Sequence, residues 1–182
     1  MASGWWLVKG SFQPLVTNHY PPAKPMKADV YWVIPQRLAI LPKPCGGEWL
    51  DDEIASFAAQ GLGILFTLLT PDEEIELELT DEVVLAEKHG LDFMRYSIPD
   101  RGVPKSPTLF AEVVHDLADS GKAIGVHCRA GIGRSGVACA AIMLRLGHEL
   151  DAAWDAIGEA RRVPVPDTDA QREWVAEHAE LF

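Results

Sequence analysis

His127-Cys128-Arg129-Ala130-Gly131-Ile132-Gly133-Arg134-Ser135-Gly136 is the stretch on which the reading of this chain turns. Residues 122–126, KAIGV, form a short apolar run of the kind that makes a buried strand, and residues 137–146 carry helical patterning. The decad is therefore expected at a strand-to-helix turn. Amides at a helix start lack intrahelical partners, point outward and carry the positive end of the helix dipole, so an anion belongs there. Gly131 and Gly133 permit positive φ and let their N–H groups turn inward, forming a nest for phosphoryl oxygens. Arg134 adds a planar, permanently charged fork. Cys128 faces the same positive focus, which favours its thiolate, the form that attacks. Ser135 is near enough to donate a hydrogen bond to the sulfur when it leaves. The expected phosphate cradle thus comprises Arg129, Ala130, Gly131, Ile132, Gly133 and Arg134.

Phosphoryl transfer to sulfur needs an acid for the departing oxygen. The run Ile98-Pro99-Asp100-Arg101-Gly102-Val103-Pro104 offers Asp100, on a loop stiffened by prolines after an expected strand at 91–98. That loop should hang over the same sheet edge as the nest. A plain Pro-Asp turn is the alternative reading of the run. Asp92, Asp116 and Asp119 fit the role less well, because they fall in strand or helix patterns.

The spacing Cys-x5-Arg followed by Ser, with both glycines and His127, resembles the signature of the cysteine-dependent protein tyrosine phosphatase superfamily, dual-specificity type. The resemblance runs from about Asp29 to the end of the chain. It implies a mostly parallel twisted sheet with helices on both faces, no cofactor and no metal. It also implies that Asp100 first protonates the leaving group and then activates the hydrolytic water. His127 would hydrogen-bond within the loop and tune the thiolate. Gln171, in the segment Pro166…Gln171…Trp174, resembles the water-positioning glutamine of tyrosine phosphatases. The expected substrate is a phosphorylated protein, at a site shallow enough for phosphotyrosine and also phosphoserine or phosphothreonine. Phosphoinositide-directed relatives place extra lysines inside the loop, where this chain has Ala130 and Ile132. A phosphoinositide or nucleotide phosphatase and a non-catalytic phospho-binding module stand as alternatives, and Cys128 as a buried structural thiol is the plainest one.

Composition fits one catalytic domain. A chain of 182 residues with 48% hydrophobic residues can bury a full core. Mean hydropathy is +0.01, as in ordinary soluble globules. A net charge of −11 argues against nucleic-acid or anionic-membrane binding. Cys45, Cys128 and Cys139 have no metal spacing and suit a reducing compartment, so a cytoplasmic location is expected. His19, His89, His115, His148 and His178 likewise show no ligand spacing. No window reaches membrane-spanning length. Ala2 stands where a myristoylation signal needs glycine.

Residues 1–28 hold Trp5, Trp6, Phe12 and Tyr20 among several prolines and read as an irregular extension pinned by its aromatics; residues 29–182 read as the phosphatase domain. Within that domain, strands are expected at 30–34, 37–41, 64–69 and 91–98, and helices at 48–60, 80–89 (capped by Thr80), 107–120 (capped by Ser106), 151–162 and 168–181. The alternation predicts the parallel sheet independently of the resemblance. The acidic run 72–78 reads as a solvated loop or helix edge.

Overall fold

The computed structural model describes residues 27–182. Its strands are β1 (Tyr31–Ile34), β2 (Leu38–Leu41), β3 (Ile64–Thr67), β4 (Asp92–Arg95) and β5 (Ile124–His127). Its α-helices are α1 (Leu50–Ala59), α2 (Pro71–Glu76), α3 (Glu82–Lys88), α4 (Pro107–Asp119), α5 (Gly133–Arg145), α6 (Leu150–Arg161) and α7 (Asp169–Glu177). Apart from Lys27 and the buried Ala28, whose amide donates to Ser56 Oγ at 2.9 Å, the expected extension lies outside the described residues.

The strands form one sheet in the order β1-β2-β5-β3-β4. Only β1 runs antiparallel, to β2; the other pairings are parallel. Every residue of β2, β3 and β5 is buried, which is why these segments read as continuous apolar runs. β5 lies between β2 and β3, with Ile124 opposite both Leu38 and Ile64, and His127 opposite Leu41 and Thr67. The parallel strands therefore end together, and the loops after them gather at one carboxyl edge.

Helices cover both faces. Phe110, Val114 and Leu117 of α4, Ile142 of α5, Ile157 of α6 and Trp174 of α7 pack with Leu38, Ile40, Phe66 and Val126. Ile54 and Phe57 of α1 and Ala86 of α3 pack with Ala39, Leu41 and Leu65. Residues 133–143 of α5 are buried all round, and the run of glycine and alanine there lets neighbouring elements approach closely. Among the described residues no helix is long and apolar enough to cross a membrane.

Several boundaries differ from expectation. The strand expected at 91–98 is regular only over β4, after which Tyr96 and Ile98 still bond back to Thr67 and Leu68. Thr80 caps nothing; α3 starts later, behind Asp81, and that residue makes no side-chain cap either. α5 begins at Gly133 rather than Val137, which draws Arg134 and Ser135 into its first turn. Ser106 and Thr168 do cap α4 and α7, accepting from the amides of Leu109 and Gln171. The acidic run contains helix α2, closed by a capping box between Thr70 and Glu73.

Candidate active site

Cys128 follows the last residue of the central strand β5 and is 3% exposed. The chain then turns through Arg129 to Ile132 into α5, whose first bond joins the Gly136 amide to the Ile132 carbonyl at 3.0 Å. The amides before it have no partner within the helix, as at any helix start. The turn is braced where the Lys43 amide donates to the Arg129 carbonyl at 3.2 Å. Gly131 has φ +66°, and a Cβ there would collide with the Leu41 carbonyl. Gly133 does not use positive φ as expected. Its missing side chain makes room instead: a Cβ would lie 2.5 Å from Asp167 Oδ2 and 2.9 Å from Gln171 Oε1.

Arg134 is 2% exposed, and both of its terminal nitrogens are engaged. Its Nη1 donates to Glu73 Oε2 at 2.7 Å and to the Ile98 carbonyl at 2.9 Å; its Nη2 donates to Glu73 Oε1 at 2.9 Å and to Asp100 Oδ1 at 3.1 Å. Burial works against the guanidinium charge, but Glu73, Cys128 and Asp100 more than offset it and raise its proton affinity. Burial likewise would raise the Glu73 carboxyl, yet Arg134 and the Thr70 amide pull it down to about 2. The reading of the acidic run as solvated is thus corrected: Glu73 and Glu74 are buried, because each meets an arginine from across the fold, Arg134 and Arg95.

Asp100 sits on the loop after β4 with its side chain 64% exposed. Tyr96 Oη donating to the Ser106 carbonyl and Ser97 Oγ donating to the Leu69 carbonyl anchor that loop near its ends. Ser135 is fully buried, and its hydroxyl has no partner among the described residues. Arg129 contributes its backbone to the turn, while its side chain leans away to Glu76 at 2.8 and 3.0 Å and to Glu73 at 3.4 Å. Gln171 is fully buried; its Nε2 donates to the Gly102 carbonyl at 3.0 Å and its Oε1 is unpartnered beside Gly133. It therefore lies between the Asp100 loop, to which it is bonded, and the turn into α5.

His127 departs from the expected arrangement. Its Nε2 lies 2.9 Å from Glu82 Oε1, without hydrogen-bond alignment, rather than within the loop. Alternation along β5 explains this, since Val126 points to the face covered by α4 and α5 and His127 to the face covered by α3. Cys139 is buried in α5, where desolvation and then the Cys128 charge push its thiol well above the ordinary value. All three cysteines are free, and Cys45 is exposed.

Glu73, Glu82, Arg161 and Asp167 were not anticipated from the sequence. Glu73 alone left a trace there, the Thr-Pro-Asp-Glu order of a capping box at residues 70–73.

A buried thiol between a strand and a helix start, an enclosed arginine and an aspartate on an adjoining loop stand in the arrangement that the resemblance to dual-specificity phosphatases implies. Residues 42–148 match the sequence model of a family described as "Tc-R-P: Polymorphic toxin system, DSP-PTPase phosphatase", and the chain belongs to that family. It is also similar to the tyrosine-protein phosphatase non-receptor type 61F of Drosophila melanogaster, 38% identical over 68 residues, a match spanning 34% of this chain and 12% of that protein. Among solved structures, kinase associated phosphatase superposes with a TM-score of 0.76 at 17% identity, covering 86% of this chain and 97% of that one. PTPMT1 in complex with PI(5)P gives 0.65 at 19% identity, covering 80% and 91%. At these identities the two structures establish a shared fold.

Proposed function

We propose that residues 29–182 form a protein phosphatase domain acting on phosphotyrosine, and on phosphoserine or phosphothreonine, through a cysteinyl-phosphate. The observation that carries this reading is that Cys128 opens the turn into α5, in whose first turn Arg134 pairs with Asp100. The Cys128 thiolate attacks phosphorus in line, an S–P bond forms, and the bond to the ester oxygen breaks as Asp100 protonates that oxygen. Water then attacks the cysteinyl-phosphate, giving its proton to Asp100 while sulfur leaves with the S–P electron pair and Ser135 donates to it. Arg134 and the amides from Arg129 to Arg134 hold the equatorial oxygens, which flatten in the transition state toward the plane of the guanidinium.

The pairing of Asp100 with Arg134 Nη2 suits this cycle. A bound phosphoryl group competes for that N–H, and the displaced carboxyl is freed to reach the leaving oxygen. Gln171, with an unpartnered Oε1 beside the turn, is a supporting residue that can accept a hydrogen bond from the attacking water. His127 makes no hydrogen bond to the loop, and its supporting role rests on its place at the end of β5, one residue before Cys128.

A single phosphate fits the site better than several. Arg129, the other cation of the turn, is already paired with Glu76 and Glu73, which leaves no free loop cation for a second phosphate. This supports protein over phosphoinositide substrates. The free cysteines suit a cytoplasmic setting.

The test is phosphate release from p-nitrophenyl phosphate under reducing conditions with chelator, comparing wild type, Cys128→Ser and Asp100→Ala. Phosphotyrosyl and phosphoseryl peptides are then compared with PI(5)P vesicles. Turnover that disappears in the serine form and favours peptides supports the proposal. Preference for the vesicles would transfer it to lipids, and tight peptide binding without release would make the domain a binding module.

A further inference from the structure

Arg161, the last residue of α6, bonds to the back of the phosphate turn. Its Nε donates to the Gly131 carbonyl and its Nη2 to the Ala130 carbonyl, each at 2.9 Å. Its guanidinium carbon stands 4.4 Å from the ring centroid of Tyr31 in β1, within cation–π range. A basic residue in a helix's last turn ordinarily answers that helix's own carbonyls and dipole. Here both acceptors belong to another segment, the anion nest itself.

The peptide bond gives this contact a specific consequence. A trans peptide is planar, with its C=O and N–H pointing in opposite directions. Holding the Ala130 oxygen outward therefore aims the Gly131 N–H inward, and holding the Gly131 oxygen outward aims the Ile132 N–H inward. Without such a hold, the empty nest gathers parallel amide dipoles that repel one another, and rotation of either peptide would turn a carbonyl oxygen toward the anion. Gly131 is the weak point of the turn, since its φ of +66° is open to glycine's wide conformational range. A planar fork can span two successive carbonyls; an ammonium cannot hold both in one geometry.

We propose that Arg161 is a positioning residue: from behind the turn it fixes the orientation of the Gly131 and Ile132 amides that receive the phosphoryl oxygens, with Tyr31 as its platform. The proposal rests on the phosphatase reading for its consequence in turnover, but its geometry concerns anion binding.

The experiment uses the full chain with Arg161→Ala, Arg161→Lys and Tyr31→Leu, and Arg162→Ala as a control at an exposed neighbour. Inorganic phosphate affinity is measured by calorimetry, the phosphate-induced rise in Tm by thermal melting, and kcat/KM with p-nitrophenyl phosphate. Removing one donor of an oxyanion site costs about 10²- to 10³-fold in kcat; loosening two without deleting them is expected to cost about 10- to 100-fold. Phosphate affinity should fall in parallel, and the phosphate-induced Tm rise should shrink in both Arg161 variants. A merely structural role would lower Tm equally with and without phosphate. Tyr31→Leu should show a smaller loss in the same direction.

Wild-type phosphate affinity and kcat/KM in Arg161→Lys would overturn the proposal, and that variant decides the matter should Arg161→Ala fail to fold. A wild type that binds phosphate without turning over substrate would overturn the phosphatase reading while leaving this inference to stand or fall on the phosphate measurements. A wild type with no affinity for phosphate would overturn both.

Discussion

Glu73 meets Arg134 through a bidentate pair of hydrogen bonds, Nη1 to Oε2 at 2.7 Å and Nη2 to Oε1 at 2.9 Å. The carboxylate comes from α2 and the guanidinium from α5, so the pair joins the turns after two neighbouring parallel strands, β3 and β5. The fork is thereby held in place beside the turn that follows β5. Glu73→Gln would remove the buried counter-ion of Arg134 and leave only the more exposed Asp100 to face its charge. Breaking a buried pair from one side costs about 3–5 kcal/mol. Urea denaturation is expected to show a loss of that order, with a fall of at least about tenfold in kcat/KM. Unchanged values in both would mean that other groups hold Arg134.

The same carboxylate sets a pH dependence. Its proton affinity is depressed in the folded protein to about 2, from an ordinary 4.5. A depressed carboxylate contributes stability that is fully present above its unfolded value and is lost as pH falls through the folded one. Denaturation midpoints should therefore decline between about pH 4.5 and pH 2, and Glu73→Gln should flatten that decline. A variant as acid-sensitive as wild type would place the titration elsewhere.

Replacing Cys128 by serine keeps the size of the side chain but removes the nucleophile. Turnover of p-nitrophenyl phosphate should fall below detection while calorimetric binding of inorganic phosphate persists. Sustained turnover in the serine form would exclude a cysteinyl-phosphate.

Asp100→Asn should separate substrates by leaving group. General acid catalysis is worth about 10²–10⁴-fold, and that contribution is largest where the departing oxygen is most basic. Phosphoseryl peptide should lose more activity than p-nitrophenyl phosphate. Equal losses on both would argue that Asp100 acts by holding Arg134 rather than by giving a proton.

Arg134→Lys retains a charge but not the fork. Nη1 and Nη2 together make four bonds to protein groups, a pattern that a lysine ammonium with three donors cannot reproduce. Loss of at least about 10²-fold in kcat/KM is expected, and near-wild-type activity would show that charge alone suffices at this position.

Local signals were legible wherever chemistry and backbone conformation coincide in sequence. The cysteine, the arginine and the glycine that needs positive φ lie within one turn, so their spacing announced the order strand, turn, helix. Ser106-Pro107 and Thr168 announced helix starts because a cap acts on amides only a few residues away. Thr80 misled for the same reason: it has the right side chain, but α3 begins past its reach. Gly133 misled differently, since a glycine can serve space as well as φ, and the atoms that need the space belong to Asp167 and Gln171.

What the chain determined by itself was therefore the short-range part: alternation of strands and helices, a Cys-x5-Arg turn between two of them, and an aspartate on a proline-bounded loop. These follow from covalent neighbourhood, where a few residues fix a backbone path and the direction of its amides. Only the tertiary structure decided which charges face each other. Strand order β1-β2-β5-β3-β4 brings Glu73 to Arg134, Glu82 to His127, and Arg161 to the carbonyls of Ala130 and Gly131. Those partners are far apart in sequence and carry no common spacing, and an exposed acidic run and a buried ion pair have the same composition until packing excludes the water between them.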